Sequence, residues 1–570
     1  MSKKSFAFCL ALFSAFGGLM PLPSMAAEVY DLVIRNGQIV DGSGNPWFWG
    51  DVAVQGDQIV KVGKLGDYKA TRTIEAKGLV VAPGFIDMLG QSAYTLLIDP
   101  RAESKIFQGI TTEITGEGES VAPANDYTLV SVAREVSPYG LKADFRTLDQ
   151  YFRYLEKHPP GINLATYVGA GQVRKYVLHD DDRPPTQAEL DQMRTLVAQQ
   201  MEQGAIGIST ALLYAPGSYA KTEELIELSK VVARYGGIYA SHMRDESDKI
   251  LDSIDEVIRI GKSANLPVEI FHLKMAGKQN WGRMEEALKK INEARKAGVD
   301  ITADQYPYIA SGTSLAATIP NELFEGGNEK LIVRLKDPAM RKQLKTRLNT
   351  PSKTWENLYL NAGKGKGIFL VGIGNPQLKK YQGKFLSEVA ALRGQADELD
   401  TLFDLLIESK NQVFSMYFEM NENDVRLAMK QPWLSFCTDA EATATSGVLS
   451  DVDSFNHPRA FGSFSKILGL YVRETEIMTL EEAIRRMTAM PAERMHLEGR
   501  GLLKAGNYAD IAIFDPQKIG DRATFAKAKQ LPVGMEYVLV NGQLVLAEGK
   551  LTNALPGRPL RGPGYKVQEK

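Results

Sequence analysis

The chain has 570 residues, of which 44% are hydrophobic, so it can build a large core, and we expect one large domain with a smaller satellite. Lys and Arg number 67 and Asp and Glu number 69, which gives a formal net charge of -2 at pH 7. No basic stripe of the kind that binds nucleic acid runs along the sequence. The composition therefore argues against a disordered chain and against a nucleic-acid-binding protein.

The first 26 residues have the layout of a secretory signal. Two lysines at positions 3 and 4 precede an apolar stretch over residues 6–22, and residues 24–26 offer a small-residue cleavage site. The apolar stretch is short and broken by glycine and proline, which argues against a membrane anchor. We expect cleavage after Ala26 and a periplasmic or secreted protein without a membrane span. Cys9 would leave with the signal, so Cys437 would be alone and could form no intrachain disulfide.

Alternating apolar residues near both ends of the chain predict short strands at residues 31–40, 51–60, 510–514 and 537–545. Tight hairpin turns are expected at Asn36-Gly37, Gly56-Asp57 and Asn541-Gly542. Isolated hairpins are only marginally stable, so the two sets of strands most simply pair with each other. We therefore predict a small β-sandwich formed from residues 27–80 and 500–570.

Between these ends, residues 81–499 change to short apolar strands separated by longer amphipathic helices, a pattern that is typical of βαβ units. The predicted strands are residues 81–88, 111–115, 164–168, 206–209, 238–242, 268–272, 301–305 and 433–439. The predicted helices include residues 187–203, 222–235, 249–262 and 281–297. Eight such strands predict an α/β fold of the (β/α)8 TIM-like barrel type, with the carboxyl ends of all strands on one face.

One part of the predicted barrel lacks this rhythm. Residues 310–411 show no clean alternation of strand and helix, and residues 413–418 could form a strand that replaces one of the eight. A structureless loop of about a hundred residues would be exceptional in a compact domain. We therefore expect an inserted lid or subdomain beside the mouth of the barrel.

Chemistry-bearing side chains fall at the ends of three predicted strands. His242 and His272 end neighbouring strands one βα repeat apart, and Asp439 ends the last strand. Because the carboxyl ends of barrel strands meet at one mouth, we expect two imidazoles and a carboxylate to converge there. Three unrelated polar residues are the alternative, although the sequence has only 6 histidines, of which His158 and His179 have the surroundings of surface residues.

Nine short motifs follow one another along the chain after the signal. They are VAPGFID at 81–87, GITT at 109–112, SHMR at 241–244, HLK at 272–274, DQYPY at 304–308, TD at 438–439, HPR at 457–459, PAER at 491–494 and ADIAIFDP at 509–516. In order and spacing they resemble the N-acyl-D-amino-acid deacylase branch of the amidohydrolase superfamily. The resemblance implies a barrel with a β-sandwich, a zinc ion held by His242, His272 and a bridging-type ligand, and Asp439 as the proton carrier.

The first strand departs from the family pattern. The family usually has Asp-x-His-x-His, whereas this chain reads DMLGQ from Asp87 to Gln91, with Leu89 and Gln91 at the two histidine positions. Those two residues share one face of an extended strand with Asp87, so this face loses two nitrogen ligands. We therefore expect one zinc ion per chain rather than two.

The third ligand of that ion also differs from the family pattern. The branch can use a cysteine from the second strand, and the best match here, allowing one deletion, is Glu117. A set of two histidines, one glutamate and water is a known catalytic zinc site. Glu119 is the alternative ligand, and a loop carboxylate without a role is the other interpretation.

Further side chains near the predicted mouth could contact a substrate. Arg244 and Lys274 each lie two residues beyond a histidine and would point the same way if the strand continues. The resemblance implies that Lys274 contacts the substrate beside the metal. Tyr308, Ser311 and Ser314 follow the seventh strand and could offer hydroxyls, although such a cluster is often only turn chemistry. A solvated loop lysine remains the alternative for Lys274.

Together these residues predict zinc-dependent hydrolysis of an amide bond other than a peptide bond. The implied substrate is a small N-acyl-D-amino acid. Asp439 would take a proton from the metal-activated water and deliver it to the departing nitrogen, and Lys274 would help to stabilise the oxyanion. The alternatives are a metallo-dipeptidase or cyclic-amide hydrolase on the same barrel, and a barrel that only binds a ligand.

Overall fold

The fold is a mixed arrangement of parallel sheets, flanking helices and two further sheets, described by a computed structural model over residues 28–450 and 457–566. The predicted signal, residues 1–26, lies outside the described residues. The strands of the described part are β1 (Glu28–Ile39), β2 (Phe48–Gln55), β3 (Gln58–Gly63), β4 (Tyr68–Glu75), β5 (Val80–Pro83), β6 (Phe85–Asp87), β7 (Ile110–Thr115), β8 (Asn163–Thr166), β9 (Val168–Gly169), β10 (Gly207–Ala211), β11 (Ile238–His242), β12 (Val268–Ile270), β13 (Ile301–Gln305), β14 (Ser311–Ser314), β15 (Ile368–Ile373), β16 (Lys384–Phe385), β17 (Val413–Tyr417), β18 (Leu434–Phe436), β19 (Ile511–Phe514), β20 (Met535–Val540), β21 (Gln543–Ala547) and β22 (Lys550–Leu551).

The helices of the described part follow the strands of the central region and of the inserted segment. They are α1 (Thr95–Ile98), α2 (Glu103–Ile106), α3 (Asp126–Val136), α4 (Leu148–Lys157), α5 (Ala170–Leu178), α6 (Gln187–Glu202), α7 (Thr222–Ala233), α8 (Ile250–Ala264), α9 (Met284–Lys296), α10 (Asn328–Lys336), α11 (Pro338–Leu348), α12 (Leu358–Asn361), α13 (Leu386–Leu392), α14 (Glu398–Glu408), α15 (Glu422–Met429), α16 (Arg459–Lys466), α17 (Leu480–Met487) and α18 (Ala489–Arg494). A π-helical segment, Ile467–Glu474, continues α16. Across residues 28–450 and 457–566, the helices are too short or too polar to cross a bilayer.

The two ends of the chain meet in one sheet of nine strands. Its order is β22-β21-β20-β19-β5-β1-β2-β3, with β4 beside β1. The junction is formed by β5, which runs antiparallel to β19 and parallel to β1. Apolar side chains of both ends, such as Ile34, Val81 and Ile511, are fully buried there.

Two of the three predicted turns in this sheet are confirmed. Gly56-Asp57 joins β2 to β3, and Asn541-Gly542 joins β20 to β21 with φ of 46° and 80°, the left-handed geometry of a two-residue hairpin turn. The turn predicted at Asn36-Gly37 is wrong, because β1 runs through it with a register shift between Ile34 and Gly37. A Cβ on Gly37 would lie 2.4 Å from Val81 Cγ2, so the close approach of β5 explains the glycine.

The central region contains two parallel sheets, with orders β6-β7-β8 and β18-β13-β12-β11-β10-β9. The strands β7, β11 and β12 are buried along their whole length, as expected where helices cover both faces of a parallel sheet. The four predicted helices are confirmed as α6 to α9, with ends that differ by a few residues. Hydrogen bonds between backbones join the two sheets at both sides, Met88 N to Phe436 O at 3.3 Å and Ile206 N to Thr166 O at 3.0 Å.

Several predicted strands of this region have different bounds in the structure, among them residues 164–168, which are divided between β8 and β9 in different sheets. Residues 81–88 are divided, because β5 belongs to the terminal sheet and β6 to a parallel sheet. The strands β12 and β18 end two and three residues before His272 and Asp439, respectively. These two residues lie in loops and have positive φ values of 35° and 46°.

The inserted segment has secondary structure of its own. The strands form an antiparallel sheet with the order β14-β17-β15-β16, and α10 to α14 pack on it around buried leucines. Because β17 pairs with β14 and β15, residues 413–418 do not replace a strand of the central region. The segment borders the cavity described below.

Candidate active site

The carboxyl ends of the central strands open into a cavity of about 270 Å³. Its lining combines the strand ends with the inserted segment, and includes Gln91, Glu117, His242, Glu246, His272, Lys274, Tyr306, Ser311, Glu356, Glu419, Asp439 and Arg459. Most of these side chains are nearly inaccessible to solvent. The cavity therefore gathers acids, bases and two cations among largely buried side chains.

Three potential metal ligands converge in this cavity. Glu117 Oε1 lies 2.8 Å from His242 Nδ1 and 2.9 Å from His272 Nε2. The three ligand atoms all lie within 4.8 Å of one another, and the described residues contain no other such group of three His, Cys, Asp or Glu. Burial opposes ionisation of Glu117, but the hydrogen bonds with both histidines outweigh it and hold the pKa of this carboxyl well below its usual value. Two imidazoles around one carboxylate oxygen are a donor set that suits Zn²⁺.

The backbone around Glu117 explains how this carboxylate reaches the histidines. It lies in the loop after β7, between Gly116 and Gly118, whose φ values are 97° and 65°. A Cβ on Gly118 would approach atoms of Ala211 to 2.5 Å, so the loop packs directly on β10. Glu119, the alternative ligand, is instead half-exposed and lies 3.6 Å from Lys175. The geometry thus favours Glu117 over Glu119.

The two residues at the missing histidine positions behave differently. Leu89 is fully buried among apolar side chains. Gln91 stays in the cavity, where its Nε2 donates to Glu117 Oε2 at 2.6 Å and to Asp439 Oδ1 at 3.3 Å. Gln91 therefore orients the ligand carboxylate and links it to Asp439.

Asp439 is held by contacts on both sides of its backbone. Its amide donates to Leu89 O at 2.8 Å, and its Oδ2 lies 2.6 Å from Arg459 Nη1. The flanking residues, Thr438 and Ala440, accept hydrogen bonds from the buried Lys105 Nζ at 2.7 and 2.8 Å. The left-handed conformation of Asp439 is thus fixed by its neighbours, and its carboxylate faces the ligand set through Gln91.

Lys274 lies in the cavity, as predicted, next to the second histidine. Its Nζ is 2.7 Å from His272 Nδ1 and 2.5 Å from Glu246 Oε2. Burial disfavours the charge on Glu246, but Lys274 and the two histidines outweigh it and lower the pKa of this carboxyl. Glu246 therefore supports both Lys274 and the ligand His272, whose Nδ1 lies 3.1 Å from Glu246 Oε1.

The structure brings Ser311 into the cavity but not the other predicted substrate contacts. Arg244 turns away because Glu256 and two backbone carbonyls take up its guanidinium. Tyr308 is buried against Asp521, with its hydroxyl 3.4 Å from the carboxylate. Ser314 accepts a hydrogen bond from Ala316 N and borders a separate cavity. For these three residues the expectation of a substrate contact is corrected.

Several residues of the cavity were not singled out by sequence reasoning. Tyr306 lies beneath Arg459, whose guanidinium is 4.8 Å from the ring centre, and its buried hydroxyl has no hydrogen-bond partner. Tyr306 lies in the DQYPY motif and Arg459 in the HPR motif, so these motifs could have pointed to both residues. Glu246, Glu356 and Glu419 had no such signal.

Cys437, the cysteine expected to remain after signal cleavage, does not contribute to the site. It is fully buried in an apolar cluster and lies outside the converging ligand set. His158 and His179, predicted on the surface, are exposed.

Comparison with known proteins identifies the family. The Amidohydrolase family matches residues 386–546. D-aminoacylase of Alcaligenes xylosoxydans xylosoxydans is 35% identical over 538 residues, which cover 94% of this chain and 98% of that protein. N-acyl-D-aspartate deacylase of the same organism is 33% identical and covers 94% of this chain and 96% of its own length.

Solved structures lead to the same family. N-acyl-D-glutamate deacylase from Bordetella bronchiseptica, complexed with zinc and a phosphonate that mimics the tetrahedral intermediate, superposes with a TM-score of 0.77 at 32% identity, covering 94% of this chain and 100% of that one. A D-aminoacylase with a binuclear metal centre, described by one-metal activation and second-metal attenuation, gives a TM-score of 0.78 at 31% identity, covering 93% and 100%. The chain belongs to the N-acyl-D-amino-acid deacylase branch of the amidohydrolase family.

Proposed function

We propose that this protein is a zinc-dependent deacylase of N-acyl-D-amino acids that uses one metal ion per chain. Membership of the family makes it a hydrolase of carbon–nitrogen bonds other than peptide bonds. The observation that carries the proposal is the convergence of Glu117, His242 and His272 in the same cavity as Asp439 and Arg459. A carboxylate, two imidazoles and a second carboxylate nearby are the groups that metal-assisted amide hydrolysis needs.

The proposal of a single ion rests on the first strand. Gln91 offers an amide that already donates to Glu117, and Leu89 is enclosed by apolar groups. Neither side chain can supply the nitrogen ligands that a second ion would require. When bound by Glu117, His242 and His272, a zinc ion supplies a water of lowered pKa and polarises the amide carbonyl.

The residues around that position have separable roles. Asp439 takes the proton of the attacking water and returns it to the departing nitrogen, as its place beside Gln91 and Glu117 allows. Arg459 is a buried cation whose Nε has no hydrogen-bond partner, so it can hold the α-carboxylate of the substrate. Tyr306 presents its unpartnered hydroxyl to the same space. Lys274 fixes His272 and adds positive charge near the carbonyl.

Two adjoining cavities suit the two halves of such a substrate. A second cavity of about 460 Å³ shares Gln91, Glu117 and Tyr214 with the first, so Glu117 lies at the boundary between them. Arg459 and Lys274 border the first cavity alone. The amino-acid half with its carboxylate therefore fits the first cavity, and the acyl half fits the second.

The fold is proposed to be a closed (β/α)8 barrel over residues 81–499, carrying the insertion near 310–411, with a β-sandwich from 27–80 and 500–570. The hydrogen bonds from Met88 to Phe436 and from Ile206 to Thr166 support closure of the ring, since they connect the two parallel sheets at both sides. An experimental structure with zinc anomalous data would test the ring and the ion together. Two metal peaks, or an open edge between β6 and β18, would contradict the proposal.

The reaction is tested by release of free amino acid from paired D- and L-N-acetyl substrates, with dipeptides and hydantoins in parallel. Turnover of the D-N-acetyl substrates that depends on zinc supports the assignment. Preference for L-N-acetyl substrates or dipeptides would favour a metallo-dipeptidase, and preference for hydantoins a cyclic-amide hydrolase. If the zinc-bound protein hydrolyses none of these amides, the result would favour a barrel that only binds a ligand.

Export is proposed from the signal layout, so the mature protein is periplasmic or secreted and begins at or near Ala27. Mass spectrometry of protein from the native host tests it. An N-terminus at Met1 or Ser2 would contradict export.

A further inference from the structure

We infer that the amino-acid half of the cavity selects substrates with a positively charged side chain, which Glu419 and Glu356 would bind. The inference deepens the proposed function and rests on it. It concerns the part of the first cavity whose wall comes from the inserted segment and from the residues that follow it.

Acidic side chains outnumber basic ones in the cavity. Six carboxylates border it, namely Glu117, Glu246, Glu356, Glu419, Asp439 and Glu441, against the two cations Lys274 and Arg459. A divalent ion on the ligand set adds two positive charges, and the acidic groups still outnumber the positive charges, so Glu356 and Glu419 can both ionise only beside a further cation. One anionic substrate carboxylate would increase that excess, whereas a substrate that also carries a cation would not.

Glu419 is the carboxylate with unused bonding capacity. Its side chain is only 2% exposed, and one oxygen, Oε1, accepts a hydrogen bond from Ser311 Oγ. The other oxygen, Oε2, has no hydrogen-bond partner. Its backbone is anchored just beyond β17, where Glu419 O accepts a hydrogen bond from Trp281 Nε1 at 2.8 Å. A buried acceptor that is held in place and left unpaired is costly unless a ligand donates to it.

Glu356 stands beside it as a second, fixed carboxylate. It accepts hydrogen bonds from Glu246 N at 2.7 Å and from Asn361 Nδ2 at 3.1 Å. Burial, with nearby Glu419 among the charged neighbours, raises the pKa of Glu356, and burial likewise raises the pKa of Glu419 to about 7. Both groups are therefore carboxyls that a neighbouring cation would stabilise in their charged form.

An organic cation fits this end of the cavity better than a metal ion. Within the described residues the converging ligand set is Glu117, His242 and His272, so the oxygens of Glu356 and Glu419 do not meet in a comparable chelate. Leu358 and Phe414 line the same wall. Their apolar surface suits the methylene stem of a lysine or arginine side chain, with the charged head directed to the two carboxylates.

The test compares N-acetyl-D-arginine with N-acetyl-D-citrulline, which has nearly the same shape without the charge. For the zinc-loaded native chain we expect kcat/KM for the arginine substrate to be at least about tenfold higher, because the citrulline substrate leaves the buried carboxylates without a cation. Glu419→Gln should reduce this ratio to near one, mainly through a higher KM for the arginine substrate.

Glu224→Gln is the matched control, since Glu224 is another buried carboxylate, paired with Arg174 outside the cavity. A loss of charge preference in both variants would overturn the assignment, as would a native chain that favours citrulline. If no N-acyl-D-amino acid is hydrolysed, the proposed function fails by itself. Calorimetric binding of the arginine and citrulline compounds to zinc-loaded Asp439→Asn protein then decides the inference, with equal affinities contradicting it.

Discussion

Lys105→Met is expected to destabilise the protein strongly and to reduce its activity, although Lys105 does not border the cavity. Its Nζ is fully buried, 2.8 Å from Asp87 Oδ2 and 3.2 Å from Glu113 Oε2. Burial favours the neutral amine, but these two carboxylates outweigh it and raise the pKa of Lys105, so the group is charged. Removing it leaves two buried carboxylates without their cation.

The size of the stability loss depends on the hydrogen bonds that Asp87 and Glu113 keep in the variant. Breaking a buried ion pair from one side costs about 3–5 kcal/mol. Asp87 still accepts hydrogen bonds from Thr438 N and Oγ1, and Glu113 from Ser92 N and Oγ, so the loss should fall near the lower value. Because Lys105 also binds the residues on both sides of Asp439, we expect kcat to fall by about 10- to 100-fold in protein that is still folded.

Thermal and urea denaturation measure the first effect, and initial rates at a temperature below the transition measure the second. Lys142→Met is the control, since it makes the same substitution in an ion pair with Asp144 that is largely exposed. If both variants unfold at the same temperature, the buried network does not stabilise the fold. If Lys105→Met is unstable but retains the native kcat, the network does not position Asp439.

Three further outcomes are expected. Asp439→Asn should keep its zinc, and its kcat should fall by about 10²- to 10⁴-fold. Near-normal turnover of an unactivated amide substrate would contradict a role of Asp439 in proton transfer. Elemental analysis should find one equivalent of zinc per chain, lost in Glu117→Ala but retained in Glu119→Ala; two equivalents, or full retention after Glu117→Ala, would contradict the ligand set. Arg459→Met should raise KM by about tenfold or more for substrates with a free carboxylate, and should affect the corresponding carboxamides much less, because the lost interaction is a charged hydrogen bond; equal effects on both would exclude this contact.

Much of the central region could be predicted from residue patterns because local and global preferences agree there. The strand Ile238–His242 and the helices that follow are confirmed within a few residues, since buried parallel strands and amphipathic helices leave clear signatures. The misplaced turn at Asn36-Gly37 has a tertiary cause. The same pair of residues that forms a hairpin turn also fits a bulge, and the packing of Val81 against Gly37 selects the bulge.

The sequence predicts those site residues whose position follows from strand order. It does not predict those whose position depends on side-chain pairing. Glu117, His242 and His272 converge because the carboxyl ends of β7, β11 and β12 face one mouth. Arg244 has the same spacing from its histidine as Lys274 has, but Glu256 on α8 takes up its charge. Glu356 lies in the inserted segment, and Glu419 follows it. The residue pattern does not reveal that this segment borders the mouth.

The pairing of β5 with β19 can form only late in the synthesis of the chain. More than four hundred residues separate the two strands, so the hydrogen-bonding edge of β5 stays open until the last part of the chain has been made. An open strand edge with exposed Val side chains can pair with other molecules. Fragments that stop before Ile511 would therefore expose this edge and tend to aggregate, whereas in the full-length chain the C-terminal strands cover it.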